Sequence, residues 1–273
     1  MTRLFGVTCN EPERLPCALH SARAALTADT APHGWGLGFY QGGEVLLQRH
    51  PKPAGRVDFH GVLTSLKAEY AIGHVREAGF PAKLENTQPF RFRQWVFAHS
   101  GALADSDLLR GSLSSAIPDF LCRNIRGGTD SELIFHLVLS YLHDAGRIDD
   151  SGLPAAEAGR ALADAVRAVQ RFAAQAGAAP PGLDLVLTNG RILLAVRSGR
   201  PMWWRRTNGL ADCAPCREQA RRPVAHEHLR AILVVGDPAV IEPGLGWEEL
   251  PDDTLLQVTR DLQVSAASLA RAS

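Results

Sequence analysis

The spacing of apolar residues in the first half of the chain predicts both strands and helices. Short apolar or alternating runs are typical of strands, and they occur at residues 4–7, 35–40, 44–50, 70–76 and 95–103. The second and third of these runs are predicted to form a hairpin, because Gln41-Gly42-Gly43 between them favours a tight turn. Apolar residues recur instead at helical spacing in residues 15–26 and 131–143, which predicts two helices.

The second half begins with a long predicted helix and then becomes mostly strand. Residues 155–176 are rich in alanine and carry apolar residues on one side, and the prolines and glycines that follow are expected to end this helix. Further strands are predicted at residues 183–187, 192–196, 202–204, 232–235 and 254–258. The arginine-rich residues 205–223 are predicted to form a long surface loop. Helices and strands in separate blocks favour α+β layers over a doubly wound parallel sheet, and we expect the later strands to complete sheets begun in the first half.

The length and charge of the chain limit the number of domains and the kinds of partner that we expect. A chain of 273 residues buries roughly three quarters of its unfolded surface, and we predict a single domain over residues 1–273. The 29 basic and 29 acidic side chains cancel, so the net charge gives no reason to expect nucleic acid or an anionic membrane as a partner. The apolar runs are far shorter than the ~20 residues that span a bilayer, and the first residues lack the pattern of a secretion signal. We therefore expect a cytoplasmic protein.

The cysteines give no clear sign of a metal site. Five cysteines in a chain without a predicted export signal indicate reduced thiols instead of a disulfide framework. Only Cys213 and Cys216 are close in sequence, and a Cys-x-x-Cys pair alone is half of a zinc site or a redox motif. No second pair lies near it, and His226 and His228 are too generic in their pattern to complete a site. The sequence therefore predicts no metal and no cofactor.

Several short motifs, taken together with their order and spacing, carry a family resemblance. They are Met1-Thr-Arg-Leu-Phe-Gly6, His33-Gly-Trp-Gly-Leu-Gly-Phe-Tyr40, Gly73-His-Val-Arg76 with Asn86-Thr-Gln-Pro-Phe90, Phe97-Ala-His-Ser-Gly101 and Gly128-Thr-Asp-Ser-Glu132. In this combination the chain resembles the class II glutamine amidotransferases. The resemblance implies an α+β fold, the four-layer αββα sandwich of the N-terminal-nucleophile hydrolases.

The resemblance implies that the catalytic groups are Thr2, Ser100 and Gly101. Family members carry a catalytic cysteine where this chain has Thr2, and removal of Met1 would leave the threonine hydroxyl beside a free α-amine that can act as its base. The family usually has asparagine at Ser100, so the oxyanion site would here consist of the Ser100 hydroxyl and the Gly101 N–H. Cys9 is set aside as a substitute thiol, because it has no terminal amine.

The same resemblance implies a substrate clamp of Arg76, Asp130 and His74. Arg76 matches the arginine that pairs with the substrate α-carboxylate, and His74 lies two residues earlier on the same strand face. Asp130 matches the acidic residue that would hold the substrate ammonium. Arg76 and Asp130 could each have a structural role instead. Arg76 could form an ion pair with Glu77, and Asp130 lies in the first turn of a helix that a capping box is predicted to open.

Two functions remain open from the sequence. In the first, the protein is an enzyme in which Thr2 attacks the side-chain amide of glutamine or a γ-glutamyl amide. A separate ammonia-accepting synthase would then take up the product, or water would complete a simple hydrolysis. In the second, the paired changes at Thr2 and Ser100 mark a catalytically silent protein that binds glutamine or a γ-glutamyl compound and regulates or scaffolds a partner.

Overall fold

The computed structural model of the protein describes residues 4–28, 33–52, 55–76, 80–103, 106–238, 241 and 244–269. Within them the strands are β1 Leu4–Cys9, β2 Thr27–Ala28, β3 Gly34–Gln41, β4 Glu44–His50, β5 Val57–Asp58, β6 Tyr70–Arg76, β7 Phe90–Phe92, β8 Trp95–Ser100, β9 Asp184–Thr188, β10 Leu193–Arg197, β11 Met202–Leu210, β12 His226–Gly236, β13 Trp247–Leu250, β14 Thr254–Val258 and β15 Val264–Ser268. The α-helices are α1 Leu15–Leu19, α2 Phe59–Leu63, α3 Ser106–Ser115, α4 Asp119–Cys122, α5 Asp130–Asp144, α6 Ala155–Gln175 and α7 Ala214–Ala220. Short 3₁₀ segments lie at Pro12–Arg14, His20–Leu26 and Leu84–Asn86.

Two antiparallel sheets contain most of these strands. The first sheet has the strand order β13-β11-β12-β1-β6-β3-β4, and the second has the order β15-β14-β10-β9-β8-β7. In the first sheet β1 lies between β6 and β12, and in the second β8 lies beside β9. Strands from the two halves of the chain therefore share both sheets, which confirms that the later strands complete sheets begun in the first half.

Apolar side chains form three core layers. The core between the sheets includes Leu4, Ile72, Val96 and Val186. On the outer face of the first sheet, which α1 and α2 cover, Phe5 meets Phe59 edge-on with ring centroids 4.9 Å apart. On the outer face of the second sheet, which α5 and α6 cover, Phe97 stacks on Phe135 at 5.1 Å. The layer order of helix, sheet, sheet and helix is the αββα sandwich predicted from the motifs.

The longest described helix, α6, shows why the helical layer stays on the outside. Most of its alanines, with Leu162 and Val166, form a buried face against the second sheet, while its charged residues lie on the opposite side. Among the described helices, none combines the length and the apolar character needed to cross a bilayer.

Three expectations about element bounds need correction. Residues 205–223 are not one surface loop, since β11 continues to Leu210 and α7 follows. Pairing with β12 holds the first part of this polar segment in a strand, and Arg205 also pairs with β13, although the arginine-rich composition argued against a strand. The helix predicted at residues 15–26 ends at Leu19 and continues as a 3₁₀ segment, and the strand predicted to reach residue 103 ends at Ser100.

Candidate active site between the two sheets

Two side chains of β6 face the space between the sheets at one of its edges. β1 begins at Leu4, which lies opposite His74 of β6, and β6 ends two residues later at Arg76. Side chains alternate along a strand, so His74 and Arg76 share a face with Ile72, a residue of the core between the sheets. The end of β6 therefore directs both predicted substrate-binding residues inward, beside the start of β1.

Ser100 reaches the same edge from the second sheet. It shares a face of β8 with Ala98, which also belongs to the core between the sheets, so its side chain points inward too. Gln88 connects the two sheets here, because its Nε2 lies 3.4 Å from His74 Nε2 and donates to the His99 carbonyl oxygen at 2.9 Å. The structure thus brings His74 and the end of β8 together.

Arg76 is a buried cation held by backbone carbonyl groups. Its Nη1 donates to the Phe80 carbonyl oxygen at 2.6 Å, and its Nη2 donates to the His33 carbonyl oxygen. Its Nε–H has no hydrogen-bond partner among the described residues, and burial lowers the pKa of the guanidinium below its ordinary value. Glu77, the alternative ion-pair partner, lies outside the described residues. In the described part of the chain, no carboxylate pairs with Arg76.

The glycines of β3 provide the space that this arrangement needs. A Cβ at Gly34 would lie 2.9 Å from Arg76 Nε, and a Cβ at Gly36 would lie 2.1 Å from the Gln88 carbonyl oxygen. Trp35, between the two glycines, belongs instead to the core on the outer face of the first sheet. The Gly-Trp-Gly motif therefore serves close packing around the site, and Trp35 is a core residue.

His99 is the centre of a buried hydrogen-bond network. Its Nε2 lies 3.0 Å from the Gly182 carbonyl oxygen, which can only accept, so we assign the ring proton to Nε2. Nδ1 then accepts from the Ser131 hydroxyl at 2.8 Å. Gln88 Oε1 accepts from the His99 backbone N–H at 2.6 Å. Because burial lowers the pKa of His99, the imidazole is held neutral, and its role is to fix Gln88 and Ser131 in place.

Asp130 is part of the same network and is anchored by backbone groups. Its Oδ2 accepts from the Leu103 N–H at 3.0 Å, and its Oδ1 accepts from the Ser131 N–H at 2.8 Å. The Ser131 hydroxyl, which also receives a contact from Gln88 Nε2 at 3.3 Å, lies 3.4 Å from Oδ1. A chain of polar contacts therefore links Asp130 to His74. An ionised carboxylate has about four acceptor sites, so these hydrogen bonds leave Asp130 capacity for a ligand cation.

The capping box predicted before α5 forms in part. Thr129 is the N-cap residue, and its hydroxyl accepts from the Glu132 N–H at 3.3 Å. The Glu132 carboxylate does not reach back to Thr129 but accepts from the N–H groups of Arg126 at 2.9 Å and Gly127 at 2.6 Å. It fixes the segment that leads into α5, and this fixes the position of Asp130 in the first turn.

The two residues predicted to form the oxyanion site lie at and just after the end of β8. Ser100 is buried, and its hydroxyl makes no hydrogen bond to another described residue. Gly101 adopts a φ of 154°, and a Cβ there would lie 2.0 Å from the Gly182 carbonyl oxygen. The close approach requires glycine at this position, so the turn after Ser100 has a fixed path.

The predicted nucleophile Thr2 lies outside the described residues, which begin at Leu4. Cys9, the other nucleophile considered, is at the opposite end of β1, about 17 Å from Leu4 at the usual rise of about 3.4 Å per residue. Its thiol donates to the Glu11 carbonyl oxygen at 3.2 Å, and burial raises the pKa of Cys9 to about 11. A protonated thiol far from His74 and Arg76 is a poor nucleophile for this site.

Asp184 lies at the same edge, and the sequence analysis did not select it. It is the first residue of β9 and pairs with Ser100 in the register. Its carboxylate accepts from the N–H groups of Ser198 at 3.1 Å and Arg200 at 3.0 Å. These hydrogen bonds favour the charged form, but burial outweighs them and raises the pKa of Asp184 to about 6. A single acid within the otherwise apolar residues 183–187 is the signal that could have identified it.

The raised pKa of Asp184 predicts that its contribution to the free energy of unfolding depends on pH. The folded protein holds the Asp184 proton more tightly than the unfolded chain, so this group stabilises the fold fully below about pH 4. The contribution is lost as the pH rises through about 6, and it is worth on the order of 3 kcal/mol. Urea unfolding between about pH 4 and pH 7 gives the free energy of unfolding of the wild type and of Asp184→Asn at each pH. The difference between the two proteins reports the contribution of Asp184. We expect the wild type to lose unfolding free energy relative to this variant as the pH rises.

The matched control is Asp119→Asn, a change at an exposed carboxylate in the first turn of α4. This variant should follow the wild-type pH dependence. Parallel curves for the wild type and Asp184→Asn would contradict the assignment.

Comparison with known proteins agrees with the motifs. A sequence model of the class-II glutamine amidotransferases matches residues 1–213. The chain belongs to this family. It is 33% identical over 89 residues to the γ-glutamyl-hercynylcysteine sulfoxide hydrolase of Mycobacterium tuberculosis, covering 32% of this chain and 38% of that protein. It is 28% identical over 149 residues to an uncharacterised protein of Methanocaldococcus jannaschii, covering 52% of this chain and 39% of that protein. The matches span less than half the length of each curated relative.

Solved structures of class II glutamine amidotransferase domains share the fold. A glutamine aminotransferase class-II domain protein from Silicibacter pomeroyi superposes with a TM-score of 0.62 at 20% identity, over 98% of this chain and 99% of that one. The glutamine phosphoribosylpyrophosphate amidotransferase of B. subtilis superposes with a TM-score of 0.56 at 15% identity, over 98% of this chain and 49% of that one. At these identities the likeness establishes the fold.

Proposed function

We propose that the protein cleaves the side-chain amide of glutamine or of a γ-glutamyl compound, with Thr2 as its nucleophile after removal of Met1. Arg76, with His74 beside it, would bind the substrate α-carboxylate, and Asp130 would bind the α-ammonium. The Ser100 hydroxyl and the Gly101 N–H would stabilise the oxyanion.

The reaction follows from these roles. The α-amine of Thr2 takes the hydroxyl proton as Oγ attacks the amide carbon, and the two donors stabilise the negative oxygen that forms. The proton then passes to the leaving nitrogen as the C–N bond breaks, which leaves a γ-glutamyl ester on Thr2. Water attacks the ester, again with the amine as base, and releases the γ-carboxylate while restoring the threonine. The amine or ammonia that leaves would diffuse away or pass to a separate synthase.

The state of Arg76 is the observation that carries this proposal. The guanidinium is buried at the edge of the space between the sheets, its two terminal nitrogens are oriented by carbonyl groups, and no described carboxylate neutralises it. A cation in this environment favours an anionic ligand, and a guanidinium suits a carboxylate in particular. The start of β1, two residues after Thr2 in sequence, lies beside the same strand.

The comparison with the mycobacterial protein supports a γ-glutamyl amide as the substrate class. That relative is named as a hydrolase of a γ-glutamyl compound, and the match to it covers 32% of this chain. A γ-glutamyl amide and glutamine share the α-carboxylate, the α-ammonium and the amide, so Arg76, Asp130 and the oxyanion donors would serve both.

A second candidate function is favoured by the paired departures from the family pattern. Threonine stands at the nucleophile position and serine at the oxyanion asparagine, while the arginine and the aspartate of the clamp are kept. A protein with these changes would bind glutamine or a γ-glutamyl compound without turning it over, and would act on a partner through that binding.

Mass spectrometry combined with an amidase assay tests the proposal. For an enzyme, we expect an intact mass without Met1, release of ammonia from glutamine or of amine from γ-glutamyl amides, and an acyl adduct trapped on the N-terminal peptide. Retention of Met1 without release of ammonia or amine would overturn the enzyme proposal. Calorimetric titration with glutamine and γ-glutamyl amides then tests the silent binder, which requires a binding signal that Arg76→Ala abolishes.

A further inference from the structure

Four side chains of metal-binding type, one from α1 and three from the segment between β11 and the first residue of β12, converge in the fold. They are Cys17, Cys213, Cys216 and His226, and one ligand atom from each lies within 4.8 Å of the others. The sulfurs of Cys17 and Cys216 are 3.6 Å apart, and His226 Nε2 lies 3.3 Å from Cys216 Sγ. In a tetrahedral zinc site with bonds of about 2.3 Å to sulfur and about 2.0 Å to nitrogen, two sulfurs are about 3.8 Å apart and a sulfur and a nitrogen about 3.5 Å apart. These two distances are close to those of a formed site, and the remaining distances between ligand atoms are within 4.8 Å.

We propose that these four residues bind one zinc ion. Three thiolates and one imidazole form a Cys₃His set, which is among the ligand sets of structural zinc sites. Soft thiolates in tetrahedral geometry favour zinc over magnesium or calcium, which prefer oxygen ligands. All four positions are filled by side chains, so the site leaves no place for a substrate or a reactive water.

The elements of the first sheet explain how the ligands meet. Cys213 is the N-cap residue of α7 and Cys216 lies in its first turn, so the Cys-x-x-Cys pair spans the start of the helix. His226 is the first residue of β12 and pairs with Leu210, the last residue of β11. This pair holds together the two ends of the connection of residues 211–225, which contains α7. Cys17 comes from α1, which packs against β12. A metal here would join α1 to this connection.

The connection between β11 and β12 has little else to hold it. α7 has only seven residues and none of them is buried, and isolated helices of this length are unstable in water. Cys213, just before it, is buried, and its N–H donates to the Val224 carbonyl oxygen at 2.8 Å. Apolar packing therefore does not explain why α7 keeps its place, whereas coordination of Cys213 and Cys216 does.

The charges around the cluster fit a metal with three thiolates. Zinc with three thiolates carries a net charge of −1, and Arg14 lies beside it, with Nη1 2.9 Å from His226 Nδ1 and 3.2 Å from His226 Nε2. With zinc on Nε2, Nδ1 carries a proton, so the Arg14 Nη1 donor has to turn away from the ring. The Arg14 Nε is already paired with Glu11 at 2.9 Å, which keeps the positive charge nearby.

The position of the cluster assigns it a structural role. His226 and Gly236 are the first and last residues of β12, and Gly236 pairs with Leu4 at the edge where His74 lies. The ten residue-to-residue steps of the strand separate these ends by roughly 33 Å at about 3.3 Å per step. A zinc ion at His226 is therefore remote from the candidate active site, and its loss should reduce stability before it affects binding of a ligand at Arg76.

Metal analysis of the full chain, purified under reducing conditions without chelator or polyhistidine tag, tests the proposal. We expect one zinc ion per chain in the wild type and in Cys122→Ser, a cysteine outside the cluster whose thiol bonds the Ile117 carbonyl. Cys17→Ser and Cys216→Ser should lose most of the metal. Removal of zinc by a chelator should lower the Tm by about 10 °C, and added zinc should restore it.

Two measurements on the wild type avoid the risk that a cysteine variant does not fold. Cobalt added to the metal-free protein should produce thiolate-to-cobalt charge-transfer bands and the visible bands of a tetrahedral ion. Zinc should also protect Cys17, Cys213 and Cys216 from alkylation and leave Cys122 unprotected. A reduced wild-type chain that contains no zinc and takes up neither metal would overturn the proposal, as would a Cys17–Cys216 disulfide in place of the metal.

Discussion

Replacement of Thr2 by alanine is expected to reduce hydrolysis of glutamine or a γ-glutamyl amide by about 10⁴-fold or more. Without the hydroxyl, the N-terminal amine has no nucleophile to activate, and the remaining donors can only polarise the amide. Arg76 and Asp130 are unchanged in this variant, so affinity for the substrate should stay close to that of the wild type. Ammonia or amine release and calorimetric binding, measured on the same preparation, separate the two effects.

Two control variants test whether the loss of the Thr2 hydroxyl itself causes the loss of activity. Thr2→Ser keeps a hydroxyl next to the amine and should retain turnover. Thr8→Ala removes a threonine of β1 that lines a cavity near Cys9, at the end of the strand away from Leu4, and its loss should leave the rate per folded molecule unchanged. Full activity in Thr2→Ala would mean that another group is the nucleophile.

The local sequence could predict the strand ends that form the candidate site because their motifs are local. The alternation of a strand directs His74 and Arg76 to one face. The close contacts that require Gly34 and Gly36 are made with Arg76 and Gln88, which are distant in the chain. The partners of these residues were not predictable in the same way. Which carbonyl groups hold Arg76 depends on loops that have no periodicity, as at Phe80.

Long-range pairing accounts for what the sequence did not reveal. Cys17 and Cys216 are 199 positions apart, and only the packing of α1 on β12 brings them together. Asp184 reads as one acid in an apolar strand until the register sets it opposite Ser100. Residues 205–223 look like a loop in composition, whereas pairing with β12 makes the first part of them β-structure. Tertiary contacts decide each of these cases.

Replacement of Ser100 by asparagine is the change expected to raise activity most. The asparagine amide reaches further than a hydroxyl and presents N–H donors to the oxyanion, and the loss of one such donor typically lowers kcat by about 10²- to 10³-fold. Ser100 faces the space between the sheets and its hydroxyl has no partner among the described residues, so substitution breaks no described hydrogen bond. We expect kcat to rise by about 10²-fold, with little change in KM.

Combined substitutions separate the effect of the nucleophile on the rate from that of the oxyanion donor. Thr2→Cys alone should restore little activity if the short Ser100 side chain limits the rate, and Thr2→Cys with Ser100→Asn should exceed the sum of the single effects, because both act on one transition state. Thr2→Ala with Ser100→Asn must stay inactive. Because Ser100 pairs with Asp184, the unfolding free energy of each variant is measured alongside the rate. Strong rescue by Thr2→Cys alone would show that the serine already provides a competent oxyanion site.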